Sequence, residues 1–308
     1  MSLSETGRPD IARAIGHLAA TMTPPPGADP IQAMRDGVDR YGDVEPRAPL
    51  LDVDVHPADA GGVRAEWLLA EDARPDHRLV YLHGGGWVAG GLYSHRSICA
   101  HLARRSRCAV LSVDYRLAPE HPFPAGLDDS LAAIRWAARN GPDGTGMGQH
   151  LALAGDSAGG NLAAAACVRL IAAGEPLPDR LALVCAALDV APPKSVAAGD
   201  GNVDAAGVAM MMSLYAPGAE SLERVELSPI NATTDTLRRF PPTLIQASGA
   251  EYLLGDAQRF MARLTEARGR AVLSIWPDLP HVWHAFTSLL PEATAALDEV
   301  AGFLGGWS

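Results

Sequence analysis

The chain has 308 residues, of which 48% are hydrophobic and 20% are charged, so it can bury a sizeable core and is globular rather than disordered. Its formal net charge of −11 repels phosphate backbones and argues against a nucleic-acid partner. No apolar run approaches the roughly 20 residues of a membrane span, and the N-terminus lacks the basic and apolar regions of a secretory leader. We therefore predict a soluble, cytoplasmic protein with no membrane partner.

The cysteines have no spacing typical of a metal site or a redox pair. Each lies in an apolar stretch, and none forms a C-x-x-C motif. We predict that all of them are buried free thiols in a reducing compartment. The four residues are Cys99, Cys108, Cys167 and Cys185.

The N-terminal segment differs in character from the rest of the chain. Residues 11–22 have apolar side chains at helical spacing, and the stretch T-P-P-P-G then ends the predicted helix. Asp29 followed by Pro30 is typical of an N-cap and first helical position, so we expect a second short helix. We interpret residues 1–48 as an N-terminal cap segment and residues 49–308 as the main domain.

From Leu51 onward, strands are predicted to alternate with helices. This alternation indicates an α/β fold with a mostly parallel central sheet flanked by helices, whose functional site lies at the carboxyl ends of the strands. The predicted strands cover residues 51–56, 63–70, 78–83, 108–114, 151–155, 181–188, 243–248 and 272–276. The predicted helices cover residues 96–105, 128–140, the alanine-rich run to Ala173, 256–268 and the segment from about Pro291.

One region, at about residues 191–239, lacks this alternation. It is rich in Pro, Gly, Asp and Met, and we predict a cap insertion of helix and loop. Its methionines Met210, Met211 and Met212 either pack in an ordinary core or form a flexible lining for an apolar pocket. We favour the pocket lining, although three consecutive residues cannot share one face of a helix.

The stretch G-D-S-A-G-G, residues 155–160, fits the G-x-S-x-G pattern of a nucleophile elbow. An apolar strand precedes it and an alanine-rich helix follows, which is the context that this motif requires. Gly155 and Gly159 would remove collisions at the tight turn, and the start of the helix favours negative charge near Ser157. We therefore predict Ser157 as a nucleophile.

The stretch H-G-G-G-W, from His83 to Trp87, directly follows a predicted strand. Glycines let bare N–H groups approach a substrate closely, as an oxyanion hole requires, and a loop of this type accompanies the elbow in lipases and esterases. We predict the N–H groups of Gly84, Gly85 and Ala158 as oxyanion donors. His83 is interpreted as a residue that orders the loop.

These motifs resemble those of the bacterial hormone-sensitive-lipase-like esterases of the α/β-hydrolase superfamily. The resemblance rests on H-G-G-G-W, on D-Y-R-L-A-P-E-H-P-F-P-A from Asp114, on G-D-S-A-G-G, and on L-S-P-I and F-P-P-T-L-I-Q further along the chain. It covers almost all of the chain from Leu51. It implies an α/β-hydrolase fold with a small helical cap, and ester hydrolysis by a serine triad without a metal or other cofactor.

In this superfamily the order along the chain is serine, then acid, then histidine. Two histidines follow Ser157, and the resemblance implies His281 as the base, with His284 left open because the usual His-Gly-Phe is His-Val-Trp here. The acid implied by the resemblance is Glu251, in place of the usual aspartate. Asp256 is its rival, but an N-cap role explains that residue without catalysis. The H-x-x-H spacing lacks further ligands, so we predict no metal.

We therefore predict a serine carboxylesterase that uses a small-molecule ester of short or medium acyl chain and water. Trp87 and the three methionines are predicted to line its substrate pocket. A lactone or amide hydrolase with the same triad is the alternative, and a ligand-binding module on a hydrolase scaffold is an alternative from another class. A homodimer is compatible with the sequence, which leaves the oligomeric state open.

Overall fold

The structure is a computed structural model that describes residues 7–43, 52–144, 146–191 and 203–306. Eight strands form one sheet in the order β1-β2-β4-β3-β5-β6-β7-β8. The pairs β1–β2 and β2–β4 are antiparallel, and the other neighbours are parallel. The strands are β1 (Val53–Asp59), β2 (Arg64–Ala70), β3 (Arg74–Leu82), β4 (Cys108–Val113), β5 (His150–Asp156), β6 (Arg180–Val184), β7 (Thr243–Ser248) and β8 (Ala271–Trp276).

Helices cover both faces of this sheet. One buried cluster joins α4, α5 and α8 to one face, and a second joins α1, α3 and α9 to the other. The predicted α/β fold with a mostly parallel sheet is therefore confirmed. The helices are α1 (Pro9–Met22), α2 (Pro30–Asp39), α3 (Leu92–Ser106), α4 (Ala125–Ala137), α5 (Ser157–Ala173), α6 (Ala205–Tyr215), α7 (Thr234–Arg238), α8 (Leu254–Glu266) and α9 (Pro291–Gly305).

The central strands are apolar runs because helices bury both of their faces. Along β3, Leu79 belongs to one buried cluster and the next residue, Val80, to the other. Strand β4 is buried at every position. Transfer of such side chains from water stabilises the fold by roughly 1.5–3 kcal/mol for each large aliphatic residue.

Three predicted boundaries are wrong by four residues. Strand β3 begins at Arg74 rather than at residue 78, because Arg74 already pairs with Cys108 on β4. Helix α3 begins at Leu92 rather than at Arg96, because the Gly91 N–H donates to the Ser94 hydroxyl at 2.9 Å and starts the first turn earlier. Strand β6 ends at Val184 rather than at residue 188. The chain leaves the sheet there, since Cys185 has a φ of 47°, a left-handed conformation that a strand cannot contain.

The N-terminal arm, which we define as residues 7–43, lies against the main domain. From α2, the Arg35 guanidinium donates to the carbonyl oxygens of Val88 at 2.9 Å and Ala118 at 3.1 Å, and it pairs with Glu120 at 2.6 Å. These contacts attach α2 to loops at the carboxyl ends of the strands. The predicted boundary at residue 48 and most of the predicted loop before α6 lie outside the described residues.

Candidate active site

Ser157 lies at the sharp junction between β5 and α5. Its φ is 51°, which a residue with a side chain adopts only when its surroundings enforce it, at a cost of roughly 1–3 kcal/mol. A Cβ atom on Gly159 would lie 2.0 Å from the Leu82 carbonyl oxygen, and one on Gly155 would lie 2.5 Å from the Gly159 backbone. Glycine is therefore required at both positions, as the motif predicted.

A chain of two hydrogen bonds joins Ser157 to a buried carboxylate. The Ser157 hydroxyl lies 3.0 Å from Nε2 of His281, and Nδ1 of the same ring lies 2.6 Å from Oε2 of Glu251. The other Glu251 oxygen accepts the Ser248 N–H at 2.8 Å. With its proton on Nδ1, the imidazole donates to Glu251 and can accept the serine proton through Nε2.

The rival histidine, His284, is turned away from this chain. It is fully buried, and its Nε2 lies 2.8 Å from the amide oxygen of Gln246. Burial, reinforced by the neighbouring His281, lowers the pKa of His284 to about 3, so the ring is neutral near pH 7. The contact with Gln246, which lies on β7, gives His284 a structural role.

The rival acid, Asp256, also serves a different purpose. Its carboxylate accepts the N–H groups of Leu188 at 3.1 Å and Asp189 at 3.0 Å, and it pairs with Arg259 at 3.0 Å. The predicted N-cap role is wrong, because Leu253 occupies the cap position and Asp256 lies within the first turn of α8. Its carboxylate holds the loop after β6 to α8.

The prediction for one oxyanion donor needs correction. The N–H of Gly84 donates to Oδ1 of Asp156 at 3.1 Å, so it is engaged within the protein. The third glycine of the motif, Gly86, lines the cavity together with Gly85 and Ser157. Among the described residues, no hydrogen bond engages the N–H groups of Gly85 or Gly86. Ala158 lies in the first turn of α5, where N–H groups have no partner within the helix. The motif itself contained Gly86, but only the fold shows which glycine faces the nucleophile.

Asp156 is the centre of a buried polar network that connects the turn at Ser157 to the H-G-G-G-W loop, residues 83–87. Besides Gly84, its carboxylate accepts the Tyr81 hydroxyl at 2.7 Å and faces Nε2 of His95 at 3.3 Å. Burial alone would raise the pKa of Asp156, but the charge and hydrogen bond of His95 and the hydrogen bond from Tyr81 bring it below its ordinary value. Sequence reasoning missed His95, which gives no motif of its own.

An apolar cavity of about 190 Å³ opens beside Ser157. Trp87 lies in its wall, as predicted, with its ring stacked on Tyr215 at a centroid distance of 4.9 Å. The N-terminal arm and the region of α6 supply much of the remaining wall. Their lining residues are Met22, Met34, Val38, Tyr41, Val203, Gly207, Val208 and Met211.

Of the three consecutive methionines, the structure brings only Met211 to the cavity. Met210 is 46% exposed on the protein surface, and Met212 is 3% exposed within the core. The expectation that all three line the pocket is wrong for Met210 and Met212. Successive residues of a helix point about 100° apart, so one cavity receives one of the three side chains.

Within the described part of the chain, one group of side chains could contact a single metal ion. It comprises Cys185, Glu251 and His281, whose ligand atoms lie within 4.8 Å of one another. Two of these residues already bind each other through the 2.6 Å contact, which an ion would have to break. Burial, followed by the charge of Glu251, raises the pKa of the Cys185 thiol, which therefore stays protonated near neutral pH.

Comparisons with known proteins show the family to which the chain belongs. Residues 79–285 match the family described as having an alpha/beta hydrolase fold. An acetyl-hydrolase of Streptomyces hygroscopicus is 35% identical over 86% of this chain and 91% of its own length. The carboxylesterase NlhH of Mycobacterium tuberculosis is 35% identical over 71% of this chain and 70% of its own length.

Solved structures give the same result. The crystal structure of an esterase from the bacterial hormone-sensitive lipase family has a TM-score of 0.85 and 35% identity, covering 98% of this chain and 99% of that chain. The chain thus belongs to the α/β-hydrolase family. Within that family it is a hydrolase of the carboxylesterase class, similar to the bacterial hormone-sensitive-lipase-like esterases, and the resemblance predicted from the motifs is confirmed.

A helix that crosses a bilayer must be about 20 residues long and predominantly apolar. None of the helices formed by the described residues combines the length and the apolar character that such a span requires.

Proposed function

We propose that the protein hydrolyses short- to medium-chain acyl esters through a Ser157–His281–Glu251 triad. The observation that carries this proposal is the continuous pair of hydrogen bonds, 3.0 Å and 2.6 Å long, that links the serine hydroxyl to the buried carboxylate. Ser157, at one end of these hydrogen bonds, lines the apolar cavity.

Reaction begins when Ser157 attacks the ester carbonyl and Nε2 of His281 takes the hydroxyl proton. The carbonyl oxygen becomes an oxyanion, which accepts hydrogen bonds from the N–H groups of Gly85, Gly86 and Ala158. Because these backbone groups are fixed in place before reaction, they stabilise the developing charge without reorganisation.

His281 then gives its proton to the leaving alcohol, and the acyl group remains on Ser157. A water molecule, deprotonated by the same imidazole, attacks this acyl-enzyme and releases the acid. Glu251 keeps the Nδ1 proton in place and stabilises the imidazolium that forms in both half-reactions.

The cavity limits the size of the acyl group. A volume of about 190 Å³ is below the usual 300–1,000 Å³ of ligand pockets, which favours short chains. Met211 from the region of α6 and Met34 from the N-terminal arm both line it. We propose that these two segments act as the cap that sets chain length.

The test is a series of p-nitrophenyl esters from acetyl to dodecanoyl, assayed with wild type and with Ser157→Ala. We expect kcat/KM to peak at a short chain and to decline once the acyl group exceeds the cavity. Ser157→Ala should lower kcat by about 10⁶-fold, as loss of a triad serine does elsewhere.

Ser221→Ala is the matched control and should keep wild-type activity. This serine is exposed, and among the described residues its hydroxyl bonds only to the surface N–H of Glu223. Full activity of Ser157→Ala would overturn the proposed triad. A lactone and an anilide are assayed beside the aryl esters. Faster turnover of either would favour a lactone or amide hydrolase with the same triad.

A further inference from the structure

The residue after the proposed base has a strained backbone. Val282 has a φ of 49° and is 5% exposed, and it precedes the turn Trp283–Ala285. A β-branched residue is a true outlier at positive φ, because its Cβ crowds the backbone. Such a conformation persists only where the surrounding structure over-determines it. Contacts around Val282 must therefore hold this conformation in place.

Several contacts to this region come from the end of the N-terminal arm. The Tyr41 hydroxyl donates a hydrogen bond to the carbonyl oxygen of His281, which belongs to the peptide that leads into Val282. The Tyr41 ring also packs against Phe286 at a centroid distance of 5.5 Å. Tyr41 thus touches both ends of residues 281–286, which we call the His281 loop.

The neighbouring residue brings the arm's backbone against the same loop. A Cβ atom on Gly42 would lie only 2.5 Å from the Ala285 carbonyl oxygen, so the two backbones are in direct contact. Two residues earlier along the arm, the Arg40 carbonyl oxygen lies 2.7 Å from Nε2 of His17, whose ring meets Phe286 edge to face. The arm is therefore packed on the loop by polar and apolar contacts together.

We propose that Tyr41 is a positioning residue that holds the strained His281 loop, and that it keeps the imidazole aligned between Ser157 and Glu251. The inference rests on the proposed role of His281 as the base. Both imidazole hydrogen bonds need the ring in one orientation, and the carbonyl held by Tyr41 belongs to the same residue. Relaxation of Val282 toward negative φ would rotate that peptide and move the ring.

Tyr41 also lines the cavity, so a role in substrate binding alone must be separated from positioning. Loss of a binding contact raises KM, whereas misalignment of the base lowers kcat. A second difference concerns Val282. If Tyr41 acts by holding strained backbone, its hydroxyl should matter less once that strain is removed, and glycine removes it because glycine adopts positive φ freely.

The experiment is a double-mutant cycle of Tyr41→Phe and Val282→Gly, with kcat and KM measured on p-nitrophenyl butanoate. Tyr41→Phe keeps the ring and removes the hydroxyl that donates to the His281 carbonyl. In the wild-type background it should lower kcat by about tenfold with little change in KM, a factor that corresponds to about 1.4 kcal/mol. In the Val282→Gly background the same change should lower kcat by no more than about twofold, which is the coupling that the cycle measures.

Tyr93→Phe is the control for loss of a hydroxyl, because Tyr93 is 52% exposed and outside the cavity wall. An equal fall of kcat in both backgrounds, or a change confined to KM, would overturn the positioning role. Failure of the proposed triad is recognised separately, since His281→Ala would then remain active. An inactive His281→Ala beside a fully active Tyr41→Phe would refute only the present inference.

Discussion

Glu251 holds His281 through a close side-chain contact, 2.6 Å between Oε2 and Nδ1. Glutamate has one methylene more than aspartate, so its Cα must lie further back for the carboxylate to reach the same nitrogen. The Ser248 N–H fixes the second oxygen at 2.8 Å, which stops the longer side chain from rotating away. Both oxygens of the carboxylate are thereby engaged, one by the imidazole and one by the backbone.

Glu251→Gln should therefore lower kcat sharply and leave KM nearly unchanged. An amide can donate to Nδ1 and stabilise the wrong tautomer, in which Nε2 carries the proton and cannot accept one from Ser157. Replacement of a triad acid by its amide costs about 10⁴-fold elsewhere, and we expect about 10³- to 10⁴-fold here. Steady-state kinetics on p-nitrophenyl butanoate measure it, and a loss of less than tenfold would contradict the assignment.

Asp256→Asn is the matched comparison and should affect stability instead. Its carboxylate accepts two backbone N–H groups and pairs with Arg259, and none of these partners belongs to the imidazole chain. Loss of a buried charge-assisted network of this size should lower the free energy of unfolding by about 1–3 kcal/mol. Urea denaturation measures that change. A variant that is as stable as wild type but inactive would reverse the roles of the two acids.

The sequence was sufficient for the features whose causes are local. The apolar runs define the strands, and glycines around Ser157 predict the elbow, because a turn that tight admits no side chain at Gly155 or Gly159. The family resemblance then supplied Glu251 and His281, which a single sequence cannot pair. Their 30-residue separation carries no periodic pattern, and only the fold brings them to 2.6 Å.

The errors have a common origin in contacts between distant segments. Gly84 was predicted as an oxyanion donor, but Asp156, 72 residues further along the chain, takes its N–H. The role of Tyr41 depends on a backbone carbonyl 240 residues away, and no motif marks such a contact. Similarly, the direction of each methionine on α6 follows from how that helix is rotated against the main domain, which composition does not encode.

Acidification should destabilise the protein through two buried histidines. Burial, together with a second histidine near each ring, lowers the pKa of His83 and of His284 to about 3, against an ordinary value of 6.5. Between these values the unfolded chain binds protons that the folded chain does not, so stability falls as the pH falls from 6.5 toward 3. At pH 5 the loss is roughly 2 kcal/mol for each ring.

Urea denaturation at pH 7 and pH 5 measures this effect. His284→Gln keeps a polar side chain near Gln246 but cannot take up a proton, so its stability should change by roughly 2 kcal/mol less than that of wild type between the two pH values. An identical pH dependence in the two proteins would show that His284 is not the source.

The three consecutive methionines offer an internal control for the cavity, because the same substitution meets three environments. Met211 lies against the H-G-G-G-W loop, residues 83–87. A Cβ atom on Gly86 would be 2.9 Å from Cγ of Met211. Met211→Ala should open the cavity toward longer chains. Each further buried methylene contributes about 0.8 kcal/mol, so the ratio of kcat/KM for octanoyl over butanoyl ester should rise by about tenfold or more.

Met210→Ala should leave that ratio unchanged, since its side chain is 46% exposed to solvent. Met212→Ala should also leave the ratio unchanged but lower the free energy of unfolding by about 2–5 kcal/mol, because it empties space in the core. The comparison separates cavity shape from stability within one turn of α6. A shifted ratio in Met210→Ala, or an unshifted one in Met211→Ala, would mean that this helix turns a different face to the acyl chain.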